Sequence, residues 1–246
     1  MPKRSRLDLA LVQRGFFLTR QQAQTAIMAG EVQIDGRLAA KASDSVQDSN
    51  KIAVAARDRY VGRGGTKLEG AIEHFSIDCA AKVALDIGAS TGGFTDCLLQ
   101  KGASKVFALD VGHGQLAWKI RADSRVVTLE KTNARHLSRE HIPEPIEICV
   151  IDVSFISLTL ILPNAFELLT PDGVILALIK PQFELAREDV GRGGIVRDPG
   201  LHAKVQKKIT DFSQSMGAQM GGLVPSSITG TDGNQEFFIC LRKPSE

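Results

Sequence analysis

The chain has 246 residues, 43% hydrophobic and 24% charged, which supplies a sizeable core and excludes global disorder. Its formal net charge is only +2, from 30 Lys and Arg against 28 Asp and Glu. The balance is uneven: residues 1–60 hold ten Lys/Arg against six acids, a net of +4, and the remainder nets −2. A basic head on a near-neutral body points to nucleic acid.

Several classes are set aside at once. The longest apolar runs, such as residues 174–179, fall far short of the roughly 18–20 residues that span a bilayer, so no membrane partner is expected. Met1-Pro2-Lys3-Arg4 opens with charge but no apolar stretch follows, so no secretory signal is read. Cys79, Cys97, Cys149 and Cys240 form no C-x-x-C pair, which argues against a disulfide scaffold and against a metal site. Three of the four lie in apolar stretches and are expected to pack in the core, and a cytoplasmic protein with reduced cysteines is expected.

In chain order, residues 6–13 read as a short helix stopped at Gly15, and Thr19 caps a second helix over 20–29 that closes at Gly30. Residues 31–37 alternate as a strand ending in the Asp35-Gly36 turn, and 51–56 form another strand after a polar stretch over 41–50. The reading is an α-α-β-β head over 1–60, then a Gly-rich basic stretch over 57–65 that serves as linker, its core placed at 61–66. From 67 to 246 the pattern alternates. Strands are expected at 83–87, 105–111, 125–130, 147–153 and 174–179, with helices at 91–100, 114–122 and 158–169, the last kinked or split at Pro163. A helix over 201–216 and a hairpin of 222–228 with 236–241 complete it. This is an α/β fold: a mostly parallel, Rossmann-like sheet with a terminal antiparallel hairpin, behind a small α+β head. The string Val-Gly-Arg-Gly-Gly occurs at 61–65 and 190–194 with unmatched flanks, and is read as coincidence or similar loop chemistry, not as a structural repeat. The second copy lies in a long loop, 181–199, of a length that is usually functional or mobile.

The first strand of the body runs into Asp86-Ile87-Gly88-Ala89-Ser90-Thr91-Gly92-Gly93-Phe94. Its glycines permit a tight turn and close approach of a ligand, but Ser90 stands where a dinucleotide loop needs its second glycine. Asp110-Val111 ends the next strand, where an acid can hold a ribose diol. The loop with its downstream acid resembles the S-adenosylmethionine loop of class I methyltransferases; a degenerate NAD site and a plain strand–helix turn are the alternatives. Asn133 follows the third strand and is either an adenine contact or a cap. His113 is read as a solvated loop residue, and for Trp118 and Phe155 core packing is preferred over stacking on a base or cofactor.

Four charged residues border apolar strands or the glycine-rich stretch: Lys67, Asp152, Lys180 and Glu236. Such charges are costly unless paired, so two lysines and two acids converging is physically sensible. Strand-edge salt bridges without catalysis are the alternative.

On these residues the chain resembles the TlyA/hemolysin A-type family, whose body is similar to FtsJ-like RNA 2′-O-methyltransferases with a Lys-Asp-Lys-Glu quartet. The head, with Leu7-Asp8, Gly15, Thr19 to Ala23, Ile27 to Val32 and Asp35-Gly36, resembles the S4-type RNA-binding domain; Thr19 replaces its usual serine, and Tyr60 a tryptophan often found in the linker. The resemblance implies methyl transfer from S-adenosylmethionine to a cytidine ribose 2′-hydroxyl in small- or large-subunit ribosomal RNA. It makes Asp86, Gly88, Ala89, Ser90, Gly92, Gly93, Phe94, Asp110, Val111, Asn133 and Asp152 the cofactor contacts. Lys180 is expected to take the proton or steady the alkoxide, oriented by Asp152 and framed by Glu236 and Lys67. Arg4, Arg6, Arg20, Arg37 and Arg63 are the expected phosphate contacts. A haemolysin and a non-catalytic ribosome assembly factor are the competing functions.

Overall fold

A computed structural model describes residues 4–54 and 59–245. It divides into two compact units, Met1–Asp58 and Arg59–Glu246.

In the first unit, β1 (Arg4–Arg6) leads into α1 (Leu7–Gln13), then α2 (Arg20–Met28). Thr19 accepts from Gln22 N while the Gln22 side chain accepts from Thr19 N, a reciprocal cap that satisfies donors the first helical turn leaves free. Next come β2 (Val32–Ile34), β3 (Arg37–Leu38), β4 (Ser45–Gln47) and β5 (Ile52–Val54). Asp35 at φ 49° and Gly36 at φ 80° make the tight hairpin turn between β2 and β3 that their Asp-Gly sequence predicts. Strands order as β3-β2-β5 in one sheet, and β1 pairs antiparallel with β4 in another. β1 and β4 were not predicted, because three residues with one apolar position, the buried Val46, carry no period-two signal. Ala55 and Ala56, read as the end of a strand, lie outside the described residues. Leu7, Leu11, Ala23, Ile27, Val32 and Val46 form the small core.

Beside them Asp8 is fully buried, and its carboxylate accepts from Arg6 (3.1 Å), Arg20 Nε (2.8 Å) and Gln24 Nε2 (2.8 Å). These bonds hold its carboxyl well below the usual carboxylate range. The expected phosphate contacts Arg6 and Arg20 are therefore also structural; Arg4 in β1 and Arg37 in β3 are exposed.

The second unit opens with α3 (Arg63–His74), where the sequence reading placed a linker. Residues 63–66 are a helical turn and not a connector. Gly65 is required there: a Cβ would lie 2.2 Å from the ring of Tyr60, which is buried on it. The elements that follow are β6 (Val83–Ile87), α4 (Gly93–Gln100), β7 (Lys105–Leu109), α5 (Trp118–Arg121), β8 (Val126–Leu129), β9 (Ile146–Ile151), α6 (Leu162–Leu168), β10 (Leu169–Ile179), α7 (Pro181–Glu184), α8 (Pro199–Ser215), β11 (Gln219–Pro225) and β12 (Phe237–Arg242). Pro163 sits in the first turn of α6, and a separate 3₁₀ turn covers Leu158–Leu160, so the predicted helix is split. The helix expected from 114 shrinks to α5 because preceding backbone donors are diverted: Gly112 N bonds Asp110 and Gly114 N bonds Glu130.

The seven-stranded sheet has the order β11-β12-β10-β9-β6-β7-β8. β10, β9, β6, β7 and β8 pair in parallel, and only β12 runs antiparallel to its neighbours, between β11 and β10. Alternate residues of each strand enter two cores. Leu85, Ile87, Cys149 and Ile151 pack toward α6 and α8; Ala84, Ile148, Val150 and Phe238 pack toward α3 and α4. All four cysteines are buried and free. No helix among the described residues is long and apolar enough to cross a membrane. The two Val-Gly-Arg-Gly-Gly strings differ: Arg63-Gly64-Gly65 is α-helical, whereas Arg192–Gly194 is a 3₁₀ turn with Gly193 and Gly194 at φ 79° and 78°.

Asp8→Ala strands two half-exposed guanidiniums and one amide, and should destabilise the head by about 2 kcal/mol. Because the Asp8 carboxyl is depressed in the fold, its stabilisation is present above the unfolded pKa of about 4 and is lost as pH falls below it. Hydrogen exchange of the α1 amides between pH 3 and 7 measures both effects; protection unchanged by the substitution refutes them.

Candidate active site

The carboxyl ends of β6, β9 and β10 build the site. After β6 the chain turns at Gly88 (φ 88°), and Gly88 N and Ala89 N both donate to Leu109 O at 2.8 and 3.0 Å, tying the loop to β7. A Cβ on Gly88 would stand 2.3 Å from Asp152 O, so only glycine allows β6 and β9 to end so close together. Across the loop, a Cβ on Gly93 would meet Gly65 N at 3.0 Å, which seats the glycine turn against the start of α3.

Four charged side chains meet at this edge. Lys67, in the second turn of α3, places Nζ 2.5 Å from Glu236 Oε2, and both residues are buried. Glu236 immediately precedes β12, and Gly230 leaves room for it, since a Cβ there would fall 2.7 Å from Glu236 Oε1. Lys180, at the end of β10, places Nζ 2.6 Å from Asp152 Oδ1 and donates to Ser154 Oγ at 3.0 Å. Lys67, Asp152, Lys180 and Glu236 line one cavity of about 270 Å³, with Arg63, Gly88, Ala89, Ser90, Gly93 and Phe94 on its wall. The Arg63 guanidinium also donates to Thr229 O at 2.9 Å.

A second cavity of about 360 Å³ shares Gly88, Ser90, Asp152, Ser154 and Phe155 with the first. Its other walls are mostly apolar, including Ile87, Leu109, Val111, Val153 and Ile161, with Asp110 and Asn133 as polar points. Asp110 accepts from Ser90 N at 2.8 Å and Gly112 N at 2.7 Å. Asn133 lines the cavity and also caps Arg135 N at 3.0 Å, so both sequence readings of it describe the same side chain.

Two expected cofactor residues lie elsewhere. Gly92 (φ 95°) packs toward Leu116 and Ile120, and Asp86 is fully buried behind the loop. Asp86 Oδ2 accepts from Thr95 Oγ1 at 2.6 Å, while burial, against that bond and helped by Asp152, pushes its carboxyl up to about 7. Arg4, Arg6, Arg20 and Arg37 belong to the other unit. The core packing expected of Trp118 and Phe155 is overturned: they are 82% and 89% exposed. Phe155 sits at φ 62° on the rim both cavities share, its ring 4.9 Å from that of Phe183. His113 is not simply solvated, because Nδ1 meets Glu130 Oε2 at 2.6 Å.

Sequence reasoning missed Ser154, Gln182, Phe183, Thr231 and Asp232 on the first cavity. Their signal was adjacency, since each lies within five positions of Asp152, Lys180 or Glu236. It also missed Glu184, whose buried carboxylate accepts from Ser157 Oγ, Leu158 N and Lys208 Nζ at 2.6–2.8 Å, joining the turn after β10 to the one after β9.

These cavities fit an amphipathic nucleoside bearing a charged tail. The apolar second cavity suits a purine beside the Asp110 carboxylate. In the first, the glycine turn keeps the floor low and Gln182 Oε1 is buried without a hydrogen-bond partner among the described residues.

Comparison with known proteins gives the family. A family model described as FtsJ-like methyltransferase matches residues 60–243, and one for the S4 domain matches residues 5–52. YqxC of Bacillus subtilis, provisionally named an rRNA methyltransferase, is 48% identical over 99% of this chain and 88% of its own. TlyA of Mycobacterium tuberculosis, named a 16S/23S rRNA (cytidine-2′-O)-methyltransferase, is 44% identical over 100% of this chain and 92% of its own. A solved structure from Streptococcus thermophilus, provisionally named a hemolysin, is 42% identical with a TM-score of 0.75, covering 99% of this chain and 90% of that one.

Asp86 carries a pH signature. A folded-state pKa near 7, above the unfolded value of about 4, makes stability fall as pH rises between them and level off above. Asp86→Asn should remove that part of the slope, read as Tm against pH from 4 to 8. An unchanged profile contradicts the burial-raised carboxyl.

Proposed function

The chain belongs to the FtsJ-like methyltransferase family, and from that premise we propose that it transfers a methyl group from S-adenosylmethionine to the ribose 2′-hydroxyl of a cytidine in ribosomal RNA. The observation that carries the reading is the convergence of two lysine–carboxylate pairs on one cavity that adjoins the glycine turn. The relatives' names supply the substrate class, and the S4 domain supplies a basic RNA-binding head.

When bound, S-adenosylmethionine supplies an electrophilic methyl group on a sulfonium. Gly88, Ser90, Asp110, Val111 and Asn133 would hold its nucleoside end, with Ala89, Gly93, Phe94 and Gln182 toward the first cavity. An in-line displacement asks the protein mainly to position the nucleophile and exclude water. A ribose hydroxyl is a weak nucleophile at neutral pH, so a group must take its proton or stabilise the oxyanion. We assign that role to Lys180 Nζ, which lines the cavity beside Asp152 and Ser154. As an ammonium it donates one hydrogen to Ser154 Oγ at 3.0 Å and stands 2.6 Å from Asp152 Oδ1, whose charge balances it, which leaves hydrogen to aim at the developing oxyanion. The Lys67–Glu236 pair lines the same cavity, each burying a charge that the other compensates.

Tritiated methyl transfer to separated ribosomal subunits, with mapping of the modified nucleotide, tests the function. Lys180→Ala should bind S-adenosylmethionine with unchanged affinity and lower the methylation rate by at least about 1,000-fold. Turnover retained by the variant, or transfer to a base and not a ribose, refutes the assignment.

A further inference from the structure

The first cavity has a wall that the quartet does not explain. Residues 229–236 lead into Glu236, and within them Asn234 is only 1% exposed. Its Oδ1 accepts from Val196 N at 2.9 Å, its Nδ2 donates to Gly194 O at 2.9 Å, and its backbone O accepts from Gly230 N at 2.9 Å. One side chain thus fastens the segment 194–196 to the chain that positions Glu236. Val196 is itself buried, and its O bonds the His202 ring at 3.0 Å, so the fastening point is rigid.

Arg192 and Arg197 bracket that held segment. Both are exposed, and neither has a hydrogen bond or ion pair among the described residues. The nearby acids are mostly spent: Asp189 pairs with Lys204 at 2.8 Å, and Asp198 caps α8 through Gly200 N at 2.7 Å. Gly193 and Gly194 between the arginines have open space where a Cβ would stand, so nothing obstructs a strand laid across the turn. Two unpaired guanidiniums on a fixed turn match the fork geometry that binds phosphodiesters.

We propose that Arg192 and Arg197 grip phosphates of the RNA strand that carries the target ribose. Asn234 is the positioning residue that holds this grip in register with the Glu236 side of the cavity. The inference rests on the RNA-methylation reading. It explains why a fully buried amide, touching no expected substrate atom, sits two residues from Glu236.

The test uses the full chain, separated ribosomal subunits as substrate and S-adenosylmethionine titration as the control for folding. Arg192→Gln with Arg197→Gln should raise KM for the subunit about tenfold or more. The same pair should flatten the log–log salt dependence by about 1.5, from two lost phosphate contacts, with kcat and cofactor affinity unchanged. Asn234→Ala should raise KM comparably, and adding it to the double arginine variant should cost less than about twofold more, because it acts through the same turn. Asn234→Asp keeps the acceptor for Val196 N but sets a buried carboxylate oxygen against Gly194 O, so it should raise KM at least as far as Asn234→Ala. Asn234→Ser, short, polar and uncharged, should raise KM no more than Asn234→Ala and serves if the alanine variant does not fold. An unaltered KM and salt slope in the arginine variant overturns the grip, and fold-changes that simply multiply overturn the role of Asn234. A wild-type chain that methylates no subunit overturns the methylation reading and the grip together.

Discussion

Two ammonium–carboxylate pairs, one buried and one partly buried, constrain everything around them. A lysine nitrogen removed from water is tolerable only with a carboxylate at bonding distance, and Lys67 and Lys180 meet that demand at 2.5 and 2.6 Å. The four residues come from α3, from the ends of β9 and β10, and from the approach to β12, so none of these elements can shift without breaking a pair. The antiparallel insertion of β12 between β11 and β10 sets Glu236 across from Lys67. With a parallel strand there, the entry to β12 would lie at the other edge of the sheet.

Glycine sets the second condition. Gly88 lets β6 and β9 end within contact of each other, Gly93 seats the turn on α3, Gly65 admits the Tyr60 ring and Gly230 admits Glu236. Each removes a Cβ at a place where backbone or a buried side chain already fills the space. The site is therefore held by charge pairing from within and by the absence of side chains at its seams. Exposed residues such as Phe155 and Val111 then border a fixed cavity and not a collapsing one.

Much of this was legible in the residues. The run at 83–87, apolar but for Asp86, and the continuous apolar run at 174–179 read as strands buried on both faces, and each ends in a charge or a glycine turn, which marks the working edge of a parallel sheet. Pairing of Lys67, Asp152, Lys180 and Glu236 followed from the cost of leaving any of them alone. What stayed hidden has physical reasons. Arg63-Gly64-Gly65 reads as a linker because two glycines lower helix propensity, yet burial of Leu68, Ala71 and Ile72 on the sheet outweighs them. Phe155 reads as core because aromatics usually are, and no periodicity reveals that a turn holds it at positive φ. Asn234 carries no motif; only the chain's three-dimensional path brings residues 194 and 196 to it.

The charge asymmetry acquires a more exact meaning from the structure. Of the head's arginines, Arg6 and Arg20 already share the buried carboxylate of Asp8. Their guanidiniums are half exposed, so each can meet a phosphate while still bonded to Asp8, and that bond fixes where the charge sits. A pre-oriented cation loses less side-chain entropy on binding than a free one, which, on the proposed RNA-binding role, would offset part of the charge that the buried acid removes. The same reasoning applies to the body. There Arg63 is held by Thr229 O at the cavity wall, so the net of −2 conceals a cation fixed beside the quartet. Net charge describes the solution behaviour of each unit; what a phosphate would meet is set by where individual guanidiniums stand, paired as in Arg6 and Arg20 or, among the described residues, free as in Arg192 and Arg197.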